Sequence, residues 1–177
     1  MLATGTTPAA DPLDEHLSRV AGQAEREVAF LEVRRSEMLE DEVEIRGMFR
    51  REPGDRLVRE TTEPFHEIHR LTPTHVEITK PSGARQRFRL ERAPELAVLR
   101  HALAAVLDGD AGALREHFDV DFSGNDEQWR LRLTPTAESL AGSVESLELA
   151  GRDARIEEMV LRLVEGEVFH TEIDPAR

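Results

Sequence analysis

Between two long runs of alternating apolar and polar residues, one stretch changes period: Ala93 to Phe118, reading APELAVLRHALAAVLDGDAGALREHF. Leu96, Leu99, Leu103, Val106 and Leu107 recur at helical spacing, and Pro94 stands at the first-turn position, where a missing N–H costs nothing. The pattern predicts a long helix ended by Gly109 in a left-handed conformation, then a short helix with Leu114 and Phe118 on one edge. The alternating segments on either side each present an apolar face that must be covered. The mid-chain helices are the available lid.

Before that island, Asp14 to Gln23 reads as a short helix with Leu13, Leu17 and Val20 on one face and Asp11 as its cap. From Glu27 to Leu39 the period falls to two, with Ala29, Leu31 and Val33 opposite Phe30, Glu32 and Arg34. Glu42 to Arg51 alternates in the same way, and Glu52-Pro53-Gly54-Asp55 supplies a turn before Arg56 to Thr62. Phe65 to Leu71, His75 to Lys80 and Arg85 to Leu90 continue the run, separated by Pro73 and by Pro81-Ser82-Gly83.

After the helices, Val120 to Ser123 and Gln128 to Leu133 form a hairpin around Gly124-Asn125-Asp126. Thr134-Pro135-Thr136 offers a cap for a brief helix through Leu140. Val144 to Leu149, Ile156 to Val164 and Glu167 to Ile173 follow, with turns at Gly151-Arg152-Asp153 and Gly166. The fold class is therefore α+β: one curved antiparallel sheet of about ten or eleven strands, a size at which open sheets curl, forming an incomplete barrel lidded by mid-chain helices.

A chain of 177 residues holds one core, so residues 13–177 read as a single domain behind a small-residue leader at 1–12. Carboxylates outnumber Lys plus Arg by 36 to 23, and a net charge of −13 argues against nucleic acid, which needs a basic stripe. The basic residues are Arg except for Lys80, and they alternate with Glu along the strands as solvated cross-strand ladders would. That pattern reads as surface. Without cysteine there is no disulfide, thiolate metal site or thiol nucleophile. No stretch is apolar for long enough to span a bilayer, and no basic-then-apolar signal opens the chain; a secreted protein whose signal peptide had been cut away would begin in the same way.

Gly47-Met48-Phe49, Pro53, Arg56-Leu57, Glu63-Pro64 and Pro81-Ser82-Gly83 resemble the glycine–aromatic–proline spacing near the start of the outer-membrane lipoprotein carrier family, the LolA-type proteins. The later LDGDAGALREHFDV, WRLRLTP and LELAG resemble the second half of LolA-related proteins, so the resemblance covers Leu13 to Ile173. It implies a monomeric periplasmic carrier. Its apolar cavity would accept the acyl chains of a lipoprotein or another amphiphile from an inner-membrane release complex and yield them to an outer-membrane acceptor. The resemblance also leaves open a lipid- or pigment-pathway binding module, or an enzyme that uses the bowl as its active site. Family members hold the lid with an Arg directly before the proline that follows the glycine strand. Here Glu52 precedes Pro53, which predicts a lid held by apolar contact alone or by a neighbour such as Arg51 or Arg56.

No enzymatic signature competes with the carrier reading. In Phe65-His66-Glu67-Ile68-His69 the two histidines are three apart, on opposite faces of a strand, whereas a zinc-protease pair is one helical turn apart. His101 and His117 fall on the two central helices, and no serine sits in a Gly-x-Ser-x-Gly elbow. The sequence implies no catalytic residue, metal or cofactor.

The candidate cavity residues are apolar. On the strands before the helices they are Ile45, Phe49, Leu57, Val76, Ile78 and Phe88; on the long helix, Leu96, Leu99 and Leu103. On the later strands they are Trp129, Leu131, Leu133, Met159, Leu161 and Leu163. An alkyl chain gains about 0.8 kcal/mol per buried methylene from such walls, without directional bonds. The Trp129-Leu131-Leu133 face and the Leu96-Leu99-Leu103 stripe are expected to face each other.

Overall fold

A computed structural model of the chain describes residues 11–36 and 41–175. Helix α1 (Pro12–Gln23) leads into β1 (Glu27–Arg35), β2 (Val43–Glu52), β3 (Arg56–Glu63), β4 (Glu67–Leu71), β5 (His75–Thr79) and β6 (Arg85–Arg89). A 3-10 turn at Leu90–Arg92 precedes α2 (Pro94–Asp108) and α3 (Ala111–His117). Then come β7 (Phe118–Gly124), β8 (Trp129–Pro135), α4 (Glu138–Ala141), β9 (Val144–Arg152), β10 (Arg155–Leu163) and β11 (Val168–Ile173).

All eleven strands form one antiparallel sheet in the order β6-β5-β4-β3-β2-β1-β11-β10-β9-β8-β7. The first and last strands of the chain pair in its middle, with Phe30 opposite Ile173 and Glu32 opposite Thr171. Consequently β6 and β7, consecutive in the chain, are the two free edges. The connection between them must cross the whole sheet, and α2 and α3 are that connection. The lid is thus a consequence of strand order.

Helix α2 buries Val98, Ala102 and Val106 completely, and Gly109 ends it at φ 72°. Helix α1 joins the lid, packing on α2 and α3. Asp11 caps it by accepting from the Leu13 N–H at 2.9 Å, and Leu13, Leu17 and Val20 are buried.

Several boundaries differ from the sequence-based expectation. Phe118 opens β7 instead of closing the short helix, because its extended backbone pairs it with Pro135. Pro135 in turn ends β8, so the N-cap of α4 is Ala137 with no side-chain bond, and the Thr136 hydroxyl donates to the His117 carbonyl at 3.1 Å. Gly151 lies inside β9 opposite Trp129 and Ile156, where a Cβ would stand 1.8 Å from the Arg155 carbonyl oxygen. Phe65 and His66 precede β4, and the first strand stops at Arg35. Residues 37–40, into which that strand was expected to run, and the leader up to residue 10 lie outside the described residues.

Candidate lipid-binding site

Period two assigns alternate residues of each strand to the concave face under the lid. Between that face and the first turns of α2 lies a cavity of about 550 Å³. Phe49, Ile78 and Phe88 line it from β2, β5 and β6, and Leu96 and Leu99 from the helix. Met159, Leu161 and Leu163 of β10, with Leu147 and Phe169, close the far wall. Phe49 and Met159 also line a second cavity of about 210 Å³ further along α2, with Leu57, Leu103, Leu107 and Val20. The two form a trough under the lid, divided by those shared side chains.

Ile45, Val76, Trp129, Leu131 and Leu133 line neither cavity. They are buried in the continuous core. Trp129 lies edge-on to the His16 ring of α1 at 4.5 Å between centroids, so α1 packs on that end of the sheet.

The floor of the larger cavity is polar. Glu32 and Arg59 are only 6% and 5% exposed, on the same face as the apolar wall. One guanidinium nitrogen of Arg59 donates to Glu32 Oε1 at 3.1 Å, and the other donates to Thr61 Oγ1 at 3.1 Å. The Nε of Arg34 donates to the same Glu32 oxygen at 2.7 Å, while the Thr171 hydroxyl donates to Glu32 Oε2 at 3.3 Å. Burial alone would raise the Glu32 pKa, but the charges of Arg59 and Arg34 and their hydrogen bonds together outweigh it and hold the carboxyl below its ordinary range.

Gly47 makes this arrangement possible. A Cβ there would lie 2.0 Å from the Glu60 carbonyl oxygen and 2.7 Å from Cζ of Phe30, whose ring lies over the glycine. The Arg59 guanidinium sits above that ring at 4.8 Å from its centre, within reach of Glu32 two strands away.

Reading the Arg/Glu alternation as solvated ladders therefore fails at these residues, although it describes pairs such as Arg130–Glu148 and Arg46–Glu63 on the outer face. The available signal was parity. Arg59 stands two residues after Leu57, and Glu32 two after Phe30, so each shares the face of an apolar residue.

The lid has an arginine tie. Arg51 shares the parity of Phe49 and reaches the last turn of α2, donating to Asp108 Oδ1 at 2.6 Å and to the Leu107 carbonyl at 3.4 Å. Arg100 of α2, 7% exposed, pairs with Asp55 in the β2–β3 turn. The lid is thus not held by apolar contact alone.

Residues 5–176 match the family described as outer membrane lipoprotein carrier protein LolA-like. The chain belongs to the LolA-like family. No curated protein matches it. Among solved structures it is similar to a LolA superfamily protein from Nitrosomonas europaea at 13% identity and TM-score 0.51, over 93% of this chain and 92% of that one. A lipoprotein-sorting protein domain from Vibrio parahaemolyticus aligns at 10% identity and TM-score 0.48, over 93% and 91%. The MucA/MucB complex of Pseudomonas aeruginosa contains a chain aligned at 11% identity and TM-score 0.46, over 93% of this chain and 56% of that one. The LolA-like fold is a binding and carrier fold associated with lipoproteins and lipids, and no helix among the described residues is long and apolar enough to cross a membrane.

The histidines of this LolA-like chain are engaged locally. His66 pairs with Glu60 at 2.7 Å and His69 with Glu67 at 2.5 Å. His101 and His117 stack on each other at 4.2 Å. Burial, then the charges of His117 and Arg100, push the His101 pKa down to about 4. Among the described residues no group of three or more His, Asp or Glu gathers at metal-binding distance.

Proposed function

We propose that this chain is a periplasmic carrier that shields the acyl chains of a lipoprotein or similar lipid beneath α2 and hands them to a membrane acceptor. The observation that carries the reading is the 550 Å³ cavity with its largely apolar wall. Protein interiors pack with few voids larger than a water molecule, so a space of this size between sheet and lid fits an occupant. Each methylene brought in from water contributes about 0.8 kcal/mol, and release needs only that α2 lift. The donor is an inner-membrane release complex and the acceptor an outer-membrane receptor, as in the carrier family the chain belongs to.

The test is titration with a fluorescent alkyl probe. Leu96→Trp and Leu99→Trp fill the cavity from partly buried positions without introducing a charge. Both are expected to abolish probe binding while the melting temperature holds. Unchanged binding in folded variants, or no binding by the wild type, would overturn the reading.

A further inference from the structure

A carrier of bare acyl chains needs apolar walls only, yet the floor of this cavity sets two guanidinium groups against one carboxylate. Arg59 spends donors on Glu32 and Thr61. Arg34 gives its Nε to Glu32 and lays its guanidinium 4.6 Å above the Phe169 ring, and its two terminal nitrogens meet no acceptor among the described residues. The Arg34 side chain is 38% exposed and lines the cavity. Beside it on the same wall, His69 donates from Nε2 to the Glu67 carboxylate, which leaves the buried Nδ1 of the neutral ring an acceptor and an anionic head to Arg34 alone.

The wall also carries Arg92, Glu95 and Glu167. They stand on the turn before α2, on its first turn and in the β10–β11 turn, all more exposed than Glu32 and Arg59. Arginines and glutamates on the wall balance in number. Any preference therefore comes from their arrangement, with the positive excess on the floor.

Resting on the carrier reading above, we propose that the larger cavity takes a single-chain amphiphile with an anionic head, carboxylate or phosphate. The head is met by the free edge of the Arg34 guanidinium, in the planar two-donor geometry that arginine offers such groups. The tail runs against Phe49, Leu99 and Met159, under α2. A cavity of 550 Å³ lies inside the range of roughly 300–1,000 Å³ common for small-ligand sites. The chain's net charge of −13 repels anions in general, so anion preference in this protein must originate locally.

The experiment displaces the fluorescent alkyl probe with laurate, lauryl phosphate and lauryl alcohol, which share one tail and differ in the head. Wild type is expected to bind at least one of the two anions about ten-fold more tightly than the alcohol, and the tighter anion identifies the head. In Arg34→Met that preference is expected to fall to about unity, and in Arg34→Lys, which keeps the charge but not the fork, to survive in part. Circular dichroism confirms that each variant is folded. Alcohol binding as tightly as both anions, or a preference that persists in Arg34→Met, would overturn the anionic-head proposal and leave the carrier reading intact. Binding of none of the three would overturn both.

Discussion

Glu32→Ala removes the carboxylate that is hydrogen-bonded to Arg59, leaving only the weaker field of Glu67. Arg34 is exposed enough to turn its charge into water, but Arg59 at 5% exposure is not. Removing one partner of a buried ion pair costs about 3–5 kcal/mol, because the remaining charge is left desolvated. At about 2–4 °C per kcal/mol for a chain of this size, the melting temperature should fall by roughly 6–20 °C. Replacing both members, in Glu32→Leu with Arg59→Leu, removes the penalty together with the pair and should return stability to within about 2 kcal/mol of wild type. Thermal and urea unfolding followed by circular dichroism measure both. The pH dependence has a definite sign. The folded pKa of Glu32 lies below its ordinary value of 4.5, so its contribution is complete above about pH 4.5 and is lost as pH falls through the folded value. The double variant should therefore lose less stability in acid than wild type. A Glu32→Ala protein destabilised by under about 1 kcal/mol, or a double variant weaker than the single one, would refute the buried-pair argument.

The Arg51 side chain and its partner Asp108 are 33% and 50% exposed, so the tie contributes about 0.2–1 kcal/mol. Arg51→Ala should speed amide exchange in the last turn of α2 by no more than about five-fold and leave the turns around Val98 and Ala102 unchanged. Acceleration of a hundred-fold or more throughout α2 would mean that the arginine, not the apolar face, holds the lid. Gly47→Ala places a methyl against the Glu60 carbonyl and the Phe30 ring and should cost about 1–3 kcal/mol in urea unfolding; a change within about 0.5 kcal/mol contradicts the close approach. For His101, pushed down from 6.5 to about 4, folding favours the neutral ring. Stability is then full above about pH 6.5 and declines as pH falls toward 4, a decline that His101→Phe should reduce. An imidazole titration by NMR with its midpoint at or above 6.5 would reject this.

The sequence alone determined the elements and their order, and some of their ends. Period-two alternation marked the strands, Asp11 and Pro94 the starts of α1 and α2, and Gly109 the end of α2, because these signals are local: a cap, a fixed φ or a left-handed residue acts within one turn of chain. The order of Gly47, Pro53, Pro81 and the LDGDAGALREHFDV stretch sufficed for the family. Tertiary structure decided what depends on partners far apart in the chain. Pairing β1 with β11 put β6 and β7 at opposite edges and so forced the helices across the concave face. Period two states that Glu32 and Arg34 share a face with Phe30, but it does not state which face is inside when both carry charge. That choice was made by contacts over long separations: Arg59 with Glu32, Thr171 with Glu32, and Arg51 with Asp108. Leu133 and Leu161 are likewise the same kind of residue on the same kind of strand. Only their position relative to the lid makes one solid core and the other cavity wall. An apolar side chain encodes a preference to leave water, and filled core and lipid-binding surface satisfy that preference equally.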